Sequence, residues 1–284
     1  MELNKVYNMD CLEFMKTVPD NSIDTILTDP PYLYLKHKLD RAFDEELFFK
    51  ECFRILKKDG FLIFFGFGIS YHNWNMICYN IGFNHKEDLI WDKGHNTSPF
   101  GTISRQHENI SIFTKENGIF NDVRLDYLED RINCNNSAGV WQDINRIISS
   151  LKKIKTFEDF EKFKNETKFD KAKHGITAGN KTSKNRGYQM LETIQNGFKT
   201  KSIIRIKREH YQMQHPTAKP IKLLELLLRL TTKENDLIFD GFGGGGGTFY
   251  ASKQIGRNYV GCELDEDYYN IIQKRLSEIQ GSLF

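Results

Sequence analysis

The chain has 284 residues, of which 39% are hydrophobic, and its formal net charge is +2. This length predicts one large domain, or one domain with a substantial insertion. No apolar run approaches the roughly 18–20 residues that span a bilayer, and the N-terminal residues lack the pattern of a secretory signal, so we expect a cytoplasmic protein without membrane segments.

The five cysteines are scattered along the chain and show no C-x-x-C spacing. Such a set is typical of reduced thiols and favours neither a disulfide framework nor a zinc site. We therefore expect no bound metal ion.

The N-terminal third alternates short apolar segments with amphipathic ones. Residues 23–28 form a β-branched apolar run that predicts a strand, and the prolines of the following D-P-P-Y sequence end it. Asp44 predicts the N-cap of an amphipathic helix that ends at Gly60. Further strands are predicted at 61–65, 86–91 and 109–114, with a helix near 70–80. This alternation indicates βαβ units and a parallel sheet that is covered on both faces.

The pattern changes between residues 121 and 210, where only 140–164 has a helical pattern. Order returns after the H-P-T-A-K-P sequence at 215–220. The C-terminal part predicts a helix over 221–231, a strand over 236–240, a short helix to Ile255, a strand over 258–264 and a final helix from about Asp267. The predicted layout is a first α/β half over 1–120, an inserted region over 121–210, and a second half over 211–284 that completes the same α/β domain.

Charge is unevenly distributed along the chain. Residues 151–210 contain 16 Lys and Arg against 7 Asp and Glu, whereas the remainder is mildly acidic. A basic segment favours a polyanionic partner such as nucleic acid. A solvated lysine-rich helix surface would give the same composition, and charge alone leaves both interpretations open.

Five consecutive glycines, Gly243–Gly247, follow a predicted strand and precede a predicted helix. Glycine loses the most conformational entropy on ordering, so a folded chain keeps such a run where no other residue fits, unless the run is a flexible linker. The next predicted strand ends at Glu263, and this βαβ context indicates a nucleoside site in which the carboxylate accepts ribose hydroxyls. A P-loop is excluded because no Lys follows the glycines.

The D-P-P-Y sequence places a carboxylate, two rigid prolines and an aromatic ring at the end of a predicted strand. Asp29 and the carbonyl of Pro30 can accept the two N–H bonds of an exocyclic amine, while Tyr32 stacks on the ring that carries it. A simple strand-ending turn with a surface tyrosine would show the same four residues.

D-P-P-Y, H-P-T-A-K-P and F-D-G-F-G-G-G-G-G-T occur in this order, and with them the chain resembles the β-class (permuted) DNA amino-methyltransferases of the N6-adenine type. The resemblance covers nearly everything outside 121–210, where this family places its target-recognition region. It implies a doubly wound, mostly parallel α/β sheet of the S-adenosylmethionine-dependent methyltransferase type. It also implies methyl transfer from S-adenosyl-L-methionine to an exocyclic amine of DNA.

The resemblance implies roles for individual residues. The catalytic set that holds the target base is Asp29, Pro30, Pro31 and Tyr32. The cofactor set places Asp10 near the adenine, Thr217 and Lys219 at the methionine carboxylate, and Glu263 at the ribose. Its other members are Cys11, Asp29 and, in the loop, Asp240, Phe242, Gly243, Gly244 and Gly246. His107 and Glu108 match a loop near the base or its strand. In the basic region we expect Lys152 and Lys153 to bind phosphates and Arg186 to contact base edges.

The glycine run departs from the family's usual D-P-F-x-G-S-G-T-T. Glycine stands in place of the Pro, the Ser and the first Thr, at Gly241, Gly245 and Gly247. Two hydroxyls that could bond the cofactor are therefore missing, so we expect weakened cofactor binding rather than its loss.

These observations predict a site-specific N6-adenine methyltransferase that flips its target base out of double-stranded DNA. Cytosine N4 methylation uses the same chemistry, but those enzymes more often carry Ser where Asp29 stands. Methylation of RNA or of a protein amide, and DNA binding without catalysis, are less favoured by the same residues. A bacterial or phage origin, a cognate restriction endonuclease and a homodimer accompany the favoured prediction.

Overall fold

A computed structural model describes residues 1–32, 41–94, 102–133, 137–152, 155–156, 158–159, 186–207 and 218–278. The chain divides into two compact units, one formed by Met1–Asp122 with Lys201–Phe284 and the other by Val123–Thr200. In the described part, no helix is both long and apolar enough to cross a membrane.

The first unit begins with alternating strands and helices. In chain order they are β1 (Lys5–Tyr7), α1 (Cys11–Met15), β2 (Ile23–Thr28), α2 (Glu45–Ile55), β3 (Leu56–Gly66), α3 (Gly68–Ile81), β4 (Asn84–Asp92) and β5 (His107–Thr114). The strands predicted at 23–28, 61–65, 86–91 and 109–114 are confirmed within these elements.

The second unit pairs a short β-ribbon with helices. Its elements are β6 (Arg124–Leu125), α4 (Tyr127–Asn133), α5 (Ser137–Leu151), α6 (Arg186–Asn196) and β7 (Phe198–Lys199). β6 pairs antiparallel with β7. The helical pattern predicted over 140–164 corresponds to α5 in its first part, and residues 160–164 lie outside the described residues.

A buried carboxylate joins α4 to α5 in the second unit. Asp143 is fully buried and accepts hydrogen bonds from Tyr127 Oη at 2.9 Å, from Arg146 Nη1 at 2.8 Å and from Arg131 Nη2. Two guanidinium groups offset the cost of burying this charge, because a buried ion is tolerated only when it is paired.

The chain then returns to the first unit. The remaining elements are β8 (Ile203–Arg205), α7 (Ile221–Thr231), β9 (Leu237–Asp240), α8 (Gly247–Gln254), β10 (Asn258–Cys262) and α9 (Glu266–Glu278). The helix predicted over 221–231 is confirmed at both ends. Residues 201–207 belong to this unit because β8 pairs with β4.

The described strands of the first unit form one sheet in the order β1-β10-β9-β2-β3-β5-β4-β8. All neighbouring pairs are parallel except those of β5, which runs antiparallel to β3 and β4. The expectation of a mostly parallel sheet is confirmed, and β5 is the described strand of this sheet that runs antiparallel to its neighbours. The described part of the connection over 93–106 contains no helix, and a parallel crossover usually needs one.

Helix α2 starts as predicted and ends earlier. Asp44 Oδ1 accepts a hydrogen bond from the backbone N of Leu47 at 2.9 Å, so the predicted N-cap is confirmed. The helix ends at Ile55 rather than at Gly60, because Leu56 is already extended and pairs with Ile23. Gly60 lies inside β3, where an added Cβ would lie 2.8 Å from the carbonyl oxygen of Asp24 on the adjacent strand.

An aromatic core fills the space between the sheet and helices α1, α2 and α3. Its largest fully buried members include Phe48, Phe49, Phe64 and Trp74. Phe48 also packs against the half-buried Phe242, with 5.1 Å between ring centroids. The core therefore extends directly beneath the loop that carries the glycine run.

Both chain crossings to the second unit are anchored in the first. The side-chain amide of Asn121 donates to the carbonyls of Arg229 and Thr232 at 2.8 and 2.9 Å, at the C-terminal end of α7. On the return, the backbone N of Ile90 in β4 donates to the carbonyl of Ser202 at 2.7 Å. Hydrogen bonds within the first unit thus fix both points at which the chain leaves and re-enters it.

Candidate active site

Four of the predicted site segments follow neighbouring strands. β1, β10, β9 and β2 lie side by side and parallel, so their carboxyl ends share one edge of the sheet. Asp10, Glu263, the glycine run and Asp29 come after these four strands respectively. The strand order runs outwards in both directions from the β9–β2 pair, and open α/β sheets bind ligands at such a switch point.

A side-chain hydrogen bond joins the two strands at this switch point. Thr28 Oγ1 donates to Asp240 Oδ1 at 2.8 Å, and the backbone N of Phe242 donates to the same oxygen at 3.0 Å. Burial raises the pKa of Asp240 to about 6, against the stabilising bonds from Phe242, Thr248 and Thr28. The ionised carboxylate therefore connects the start of the glycine loop to the strand that ends at Asp29.

The glycine loop contains two left-handed positions. Gly244 has φ +50° and Gly246 has φ +75°, a region that side chains with a Cβ rarely adopt. Gly246 is also the N-cap residue of α8. These two positions match the glycines of the family's usual loop, so the backbone requires glycine there and the run is not a flexible linker.

Gly241, Gly245 and Gly247, which replace other residues of the usual loop, are not at positive φ, so the backbone does not require glycine there. At Gly241 an added Cβ would lie 3.1 Å from the ring of Phe48 and 3.2 Å from Cys11 Cβ, so the space beside the loop is already filled. At Gly247 it would lie 2.9 Å from Leu224 Cδ1, the end of a side chain that can move. Packing around the loop is thus adapted to the absence of side chains.

The carboxylate of Glu263 closes the glycine loop from the next strand. Oε2 accepts from the backbone N of Gly244 at 2.6 Å, and Oε1 accepts from the backbone N of Asp265 at 2.8 Å. Burial raises the pKa of Glu263 above its ordinary value. Each oxygen retains a lone pair, so the group can still accept hydrogen bonds from a ligand hydroxyl.

Asp10 and Cys11 lie at the start of α1. Asp10 Oδ1 caps the helix by accepting from the backbone N of Leu12 at 2.9 Å and of Glu13 at 3.3 Å. Cys11 is buried and its pKa is raised to about 12 by burial, so the thiol stays protonated. The two residues therefore offer one half-exposed carboxylate and one apolar contact at the sheet edge.

The D-P-P-Y turn is held by one hydrogen bond within the turn and one from α3. Tyr32 Oη donates to Asp29 Oδ1 at 2.5 Å, and Ser70 Oγ donates to the carbonyl of Tyr32 at 2.9 Å. Pro30 is buried and Pro31 is half-buried. The Tyr32 ring is half-buried, with its centroid 6.0 Å from that of Trp74. The interpretation of Tyr32 as a surface residue is therefore wrong for this turn.

Four alternating charges form a cluster beside the turn, which we call the charge cluster: Asp29, Lys219, Glu108 and Lys93. Lys219 Nζ pairs with Asp29 Oδ2 and lies 3.3 Å from Glu108 Oε2. Lys93 Nζ lies 2.5 Å from Glu108 Oε1. Both lysine side chains are only 6% exposed, which means that neither ammonium relies mainly on water to stabilise its charge.

The strand directions explain why these four residues meet. β5 is antiparallel to β4, and the pair Asp92↔His107 brings Lys93 and Glu108 to the edge at which β2 ends. Lys219 lies two residues before the start of α7, and its carbonyl oxygen would lie 3.9 Å from a Cβ added at Gly247. Lys219 is thus close to both the glycine loop and the D-P-P-Y turn.

The cluster shifts the pKa values of Glu108, Lys219 and Asp29. Burial would raise the pKa of Glu108, but the ammonium groups of Lys219 and Lys93 outweigh it and hold the pKa below its ordinary value. Burial would lower the pKa of Lys219, but Asp29 and Glu108 raise it instead. For Asp29, burial outweighs the attraction of Lys219, and together with the charge of Glu108 it raises the pKa.

The structure describes the remaining predicted site residues only in part. His107 is exposed at the start of β5, and Lys152 is exposed directly after α5. Arg186 begins α6, but its side chain lies outside the described part, as do Lys153 and Thr217. The described residues contain no cluster that could hold a metal ion.

Sequence reasoning missed three members of this site. Thr28 was considered only as the end of a strand and Ser70 only as part of a helix, and Lys93 was given no role although it lies just after the strand predicted at 86–91. A hydrophobic pattern cannot reveal a buried lysine, because its partner is distant in sequence. The position of Lys93 directly after a strand was the one available signal.

A family model for N6 and N4 methyltransferases, described as DNA methylase, matches residues 23–274. Similar proteins include the type II methyltransferase M.HinfI of Haemophilus influenzae, which is 27% identical over 98% of this chain and 69% of its own. M1.MboII of Moraxella bovis is 26% identical over 99% of both chains.

Solved structures share the fold. The M1.HpyAVI–SAM complex has a TM-score of 0.59 and 17% identity, covering 95% of this chain and 98% of its own. The PvuII DNA methyltransferase, titled cytosine-N4-specific, has a TM-score of 0.62 and 16% identity, covering 97% of this chain and 86% of its own.

The fold and the site define an S-adenosylmethionine-dependent methyltransferase. Because the family model covers most of the chain, the chain belongs to the DNA methylase family of N6 and N4 methyltransferases. The resemblance seen in the sequence is thus confirmed, and S-adenosylmethionine is its cofactor. The residues fit this group, since a buried carboxylate and a loop without side chains meet where a nucleoside would lie.

We expect Gly246→Ala to weaken cofactor binding at least tenfold and to destabilise the protein by about 1–3 kcal/mol. Its φ is +75°, and the added Cβ would lie 3.0 Å from Ile272. The matched control is Gly68→Ala, with φ +65° and nothing within 4 Å of the added Cβ. This control should cost stability alone. Urea unfolding and calorimetry with S-adenosylhomocysteine measure both effects, and unchanged binding by the Gly246 variant would contradict the expectation.

Proposed function

We propose that this protein methylates N6 of adenine in double-stranded DNA. One observation carries the proposal: the carboxylate of Asp29 and the ring of Tyr32 lie together at the switch point of a methyltransferase sheet. A carboxylate acceptor beside an aromatic ring suits a planar base that bears an exocyclic amine. An amine inside the duplex cannot reach this edge, so the base must leave the stack and lie on Tyr32.

Asp29 keeps acceptor capacity for the target amine. Its Oδ1 accepts from Tyr32 and its Oδ2 pairs with Lys219, whereas a carboxylate has about four lone-pair positions. Asp29 and the carbonyl of Pro30 would accept the two amine N–H bonds. These bonds draw the nitrogen towards tetrahedral geometry and localise its lone pair, so the rate gain comes from positioning and electrostatics.

The cofactor set divides between the two sides of the switch point. Glu263 would hold the ribose hydroxyls, the backbone of Gly243, Gly244 and Gly246 would line the cofactor, and Asp10 would accept from the adenine amine. Bound S-adenosylmethionine supplies an electrophilic methyl group on a sulfonium. Cys11, Asp240 and Phe242 would support this loop through packing and the bond to Thr28.

In this proposal Lys219 contacts both the group that binds the target amine, Asp29, and the carboxylate of the cofactor. The sequence predicts it near the methionine carboxylate, and its ammonium lies on Asp29 and Glu108. An ammonium has three donors, so a third carboxylate partner is compatible with these contacts. Thr217 stays a prediction.

Cytosine N4 is the second candidate target, because the PvuII enzyme with a similar fold is titled cytosine-N4-specific. Both targets present an exocyclic amine to the same acceptors, so the geometry of Asp29 serves either one. We favour adenine because Asp, rather than Ser, precedes P-P-Y in this chain.

Expression in a host that lacks DNA methylation distinguishes the two targets. We expect nucleoside mass spectrometry of the host DNA to show N6-methyladenine and no N4-methylcytosine. The reverse result would contradict the adenine assignment.

Because the similar proteins M.HinfI and M1.MboII are type II methyltransferases, we propose that methylation by this protein protects bacterial or phage DNA from a cognate endonuclease. The cytoplasmic location and the homodimeric state of the protein stay predictions from the sequence.

We expect Asp29→Ala to lower methyl transfer by about 10²-fold or more, because one oriented acceptor contributes that much in other enzymes. Affinity for S-adenosylhomocysteine should change only a few-fold. Asp29→Asn is the matched control, since it keeps one acceptor oxygen and the side-chain volume, and it should lose less activity. An Ala variant with more than about a tenth of wild-type turnover would show that Asp29 is not the main amine acceptor.

We propose that the inserted region over 121–210, which contains the basic segment 151–210, binds DNA phosphates. Replacing Lys152 and Lys153 together with Ala should lower affinity for every duplex alike and flatten the salt dependence, by a log–log slope of roughly 0.9 per lost contact. Lys57 and Lys58 provide a matched adjacent pair at the amino end of β3, on the opposite edge of the sheet from Asp29. Filter binding over a series of salt concentrations measures the DNA affinity of the two double-alanine variants. If the log–log slope of affinity against salt is the same for wild type and for the Lys152/Lys153 variant, the proposal is contradicted.

A further inference from the structure

Lys93 is a buried cation without an assigned role. It follows β4 directly, its backbone N donates to the carbonyl of Gln106 at 2.9 Å, and its Nζ lies 2.5 Å from Glu108 Oε1. The ammonium also lies 5.2 Å from the centroid of the Trp91 ring. A lysine with these surroundings holds one fixed position rather than sampling solvent.

Glu108 lies between two ammonium groups that bind it unequally. Oε1 accepts a short hydrogen bond from Lys93, whereas Oε2 lies 3.3 Å from Lys219 Nζ without a directed hydrogen bond from any described donor. Lys219 makes its own hydrogen bond to Asp29 instead. The charge cluster is therefore two tight pairs, Lys93–Glu108 and Lys219–Asp29, joined by one looser contact.

The four charges sum to zero, and removing one would redistribute the rest. Without Lys93, the buried Glu108 would lack its tight partner and would attract Lys219, which already lies within 4 Å of it. Lys219 would then leave Asp29 Oδ2, so Asp29 would lose its nearest counter-charge and would be oriented by the hydrogen bond from Tyr32 to Oδ1 alone. Lys93 thus acts on the amine acceptor through Glu108 and Lys219, in addition to the direct hydrogen bond from Tyr32.

We infer that Lys93 is a positioning residue for methyl transfer, because it neutralises Glu108 and thereby keeps Lys219 against Asp29. This inference rests on the proposed role of Asp29 as the amine acceptor. It requires no particular target base, so it applies to adenine and cytosine alike.

The inference predicts opposite effects for the two members of the first pair. Lys93→Met leaves a surplus negative charge near Asp29, which raises the Asp29 pKa, so the acid limb of the pH profile should move to higher pH. Glu108→Gln removes a negative charge, which lowers the Asp29 pKa, so the limb should move to lower pH. Each shift should be on the order of one to two pH units, because each variant changes the charge near Asp29 by one unit at an effective dielectric constant near 20. The ionisable groups that act directly on Asp29 from the surrounding elements include Lys219, Glu108 and Tyr32, whereas Lys93 acts through Glu108. The charges of Asp29 and Asp240 also interact.

The measurement is the pH dependence of kcat/KM for tritiated methyl transfer to DNA. Lys93→Arg should keep the wild-type limb, because it preserves the cation. The double variant K93M/E108Q removes both charges of the pair and should return the limb towards wild type. Thermal unfolding at neutral pH identifies any variant that fails to fold, and if Lys93→Met fails, Glu108→Gln and the double variant carry the test.

The inference would be overturned if the acid limb shifted in the same direction for Lys93→Met and Glu108→Gln, or shifted in neither variant. A purely structural role for Lys93 does not predict shifts in opposite directions. Counting methyl groups on any base separates this result from the choice of target. If Asp29→Ala retains activity, the role of Asp29 fails. If that variant is inactive and the limbs do not move, the inference about Lys93 fails alone.

Discussion

Pairing of β2 with β9 is the constraint on which the active site depends, because it joins strands that are distant in sequence. The hydrogen bond from Thr28 to Asp240 crosses 212 positions of the chain and lies at the carboxyl end of both strands. The residue after Thr28 is Asp29, and the glycine loop begins after Asp240. One parallel strand pair thus sets the distance between the segment that would bind the amine and the segment that would bind the nucleoside. The order of the two halves along the chain has no bearing on that distance.

Buried charge imposes the second constraint, and the two units meet it differently. In the second unit, Asp143 accepts from two arginines and a tyrosine, which joins α4 to α5 and leaves little acceptor capacity. In the first unit, two lysines are divided between two carboxylates, so Asp29 is held in place while part of its acceptor capacity remains. The same rule, that a buried ion needs a partner, produces a structural junction in one place and an oriented acceptor in the other.

Local patterns predicted the elements whose ends depend on local chemistry. The strand at 23–28 ends because prolines follow it, and the helix at 221–231 begins directly after Pro220. Tertiary contacts decided the rest. Gly60 resembles a helix stop, yet it is needed where β3 passes close to β2. Nothing local marks the pairing of Lys219 with Asp29, which lie 190 positions apart. The glycine run predicted an unusual backbone conformation, but only the folded loop shows that the positive φ angles, which favour glycine, occur at Gly244 and Gly246.

Anchoring of Asn121 on α7 and of Ser202 on β4 bears on how such enzymes diversify. Both anchors belong to the unit that carries the charge cluster and the glycine loop, and neither uses a residue of Val123–Thr200. Recombination between these two points replaces the intervening chain without removing a hydrogen bond that closes the sheet. On the prediction that 121–210 is the target-recognition region, selection for a new recognition sequence can act on one cassette, while the segments of the first unit proposed to carry methyl transfer are inherited unchanged.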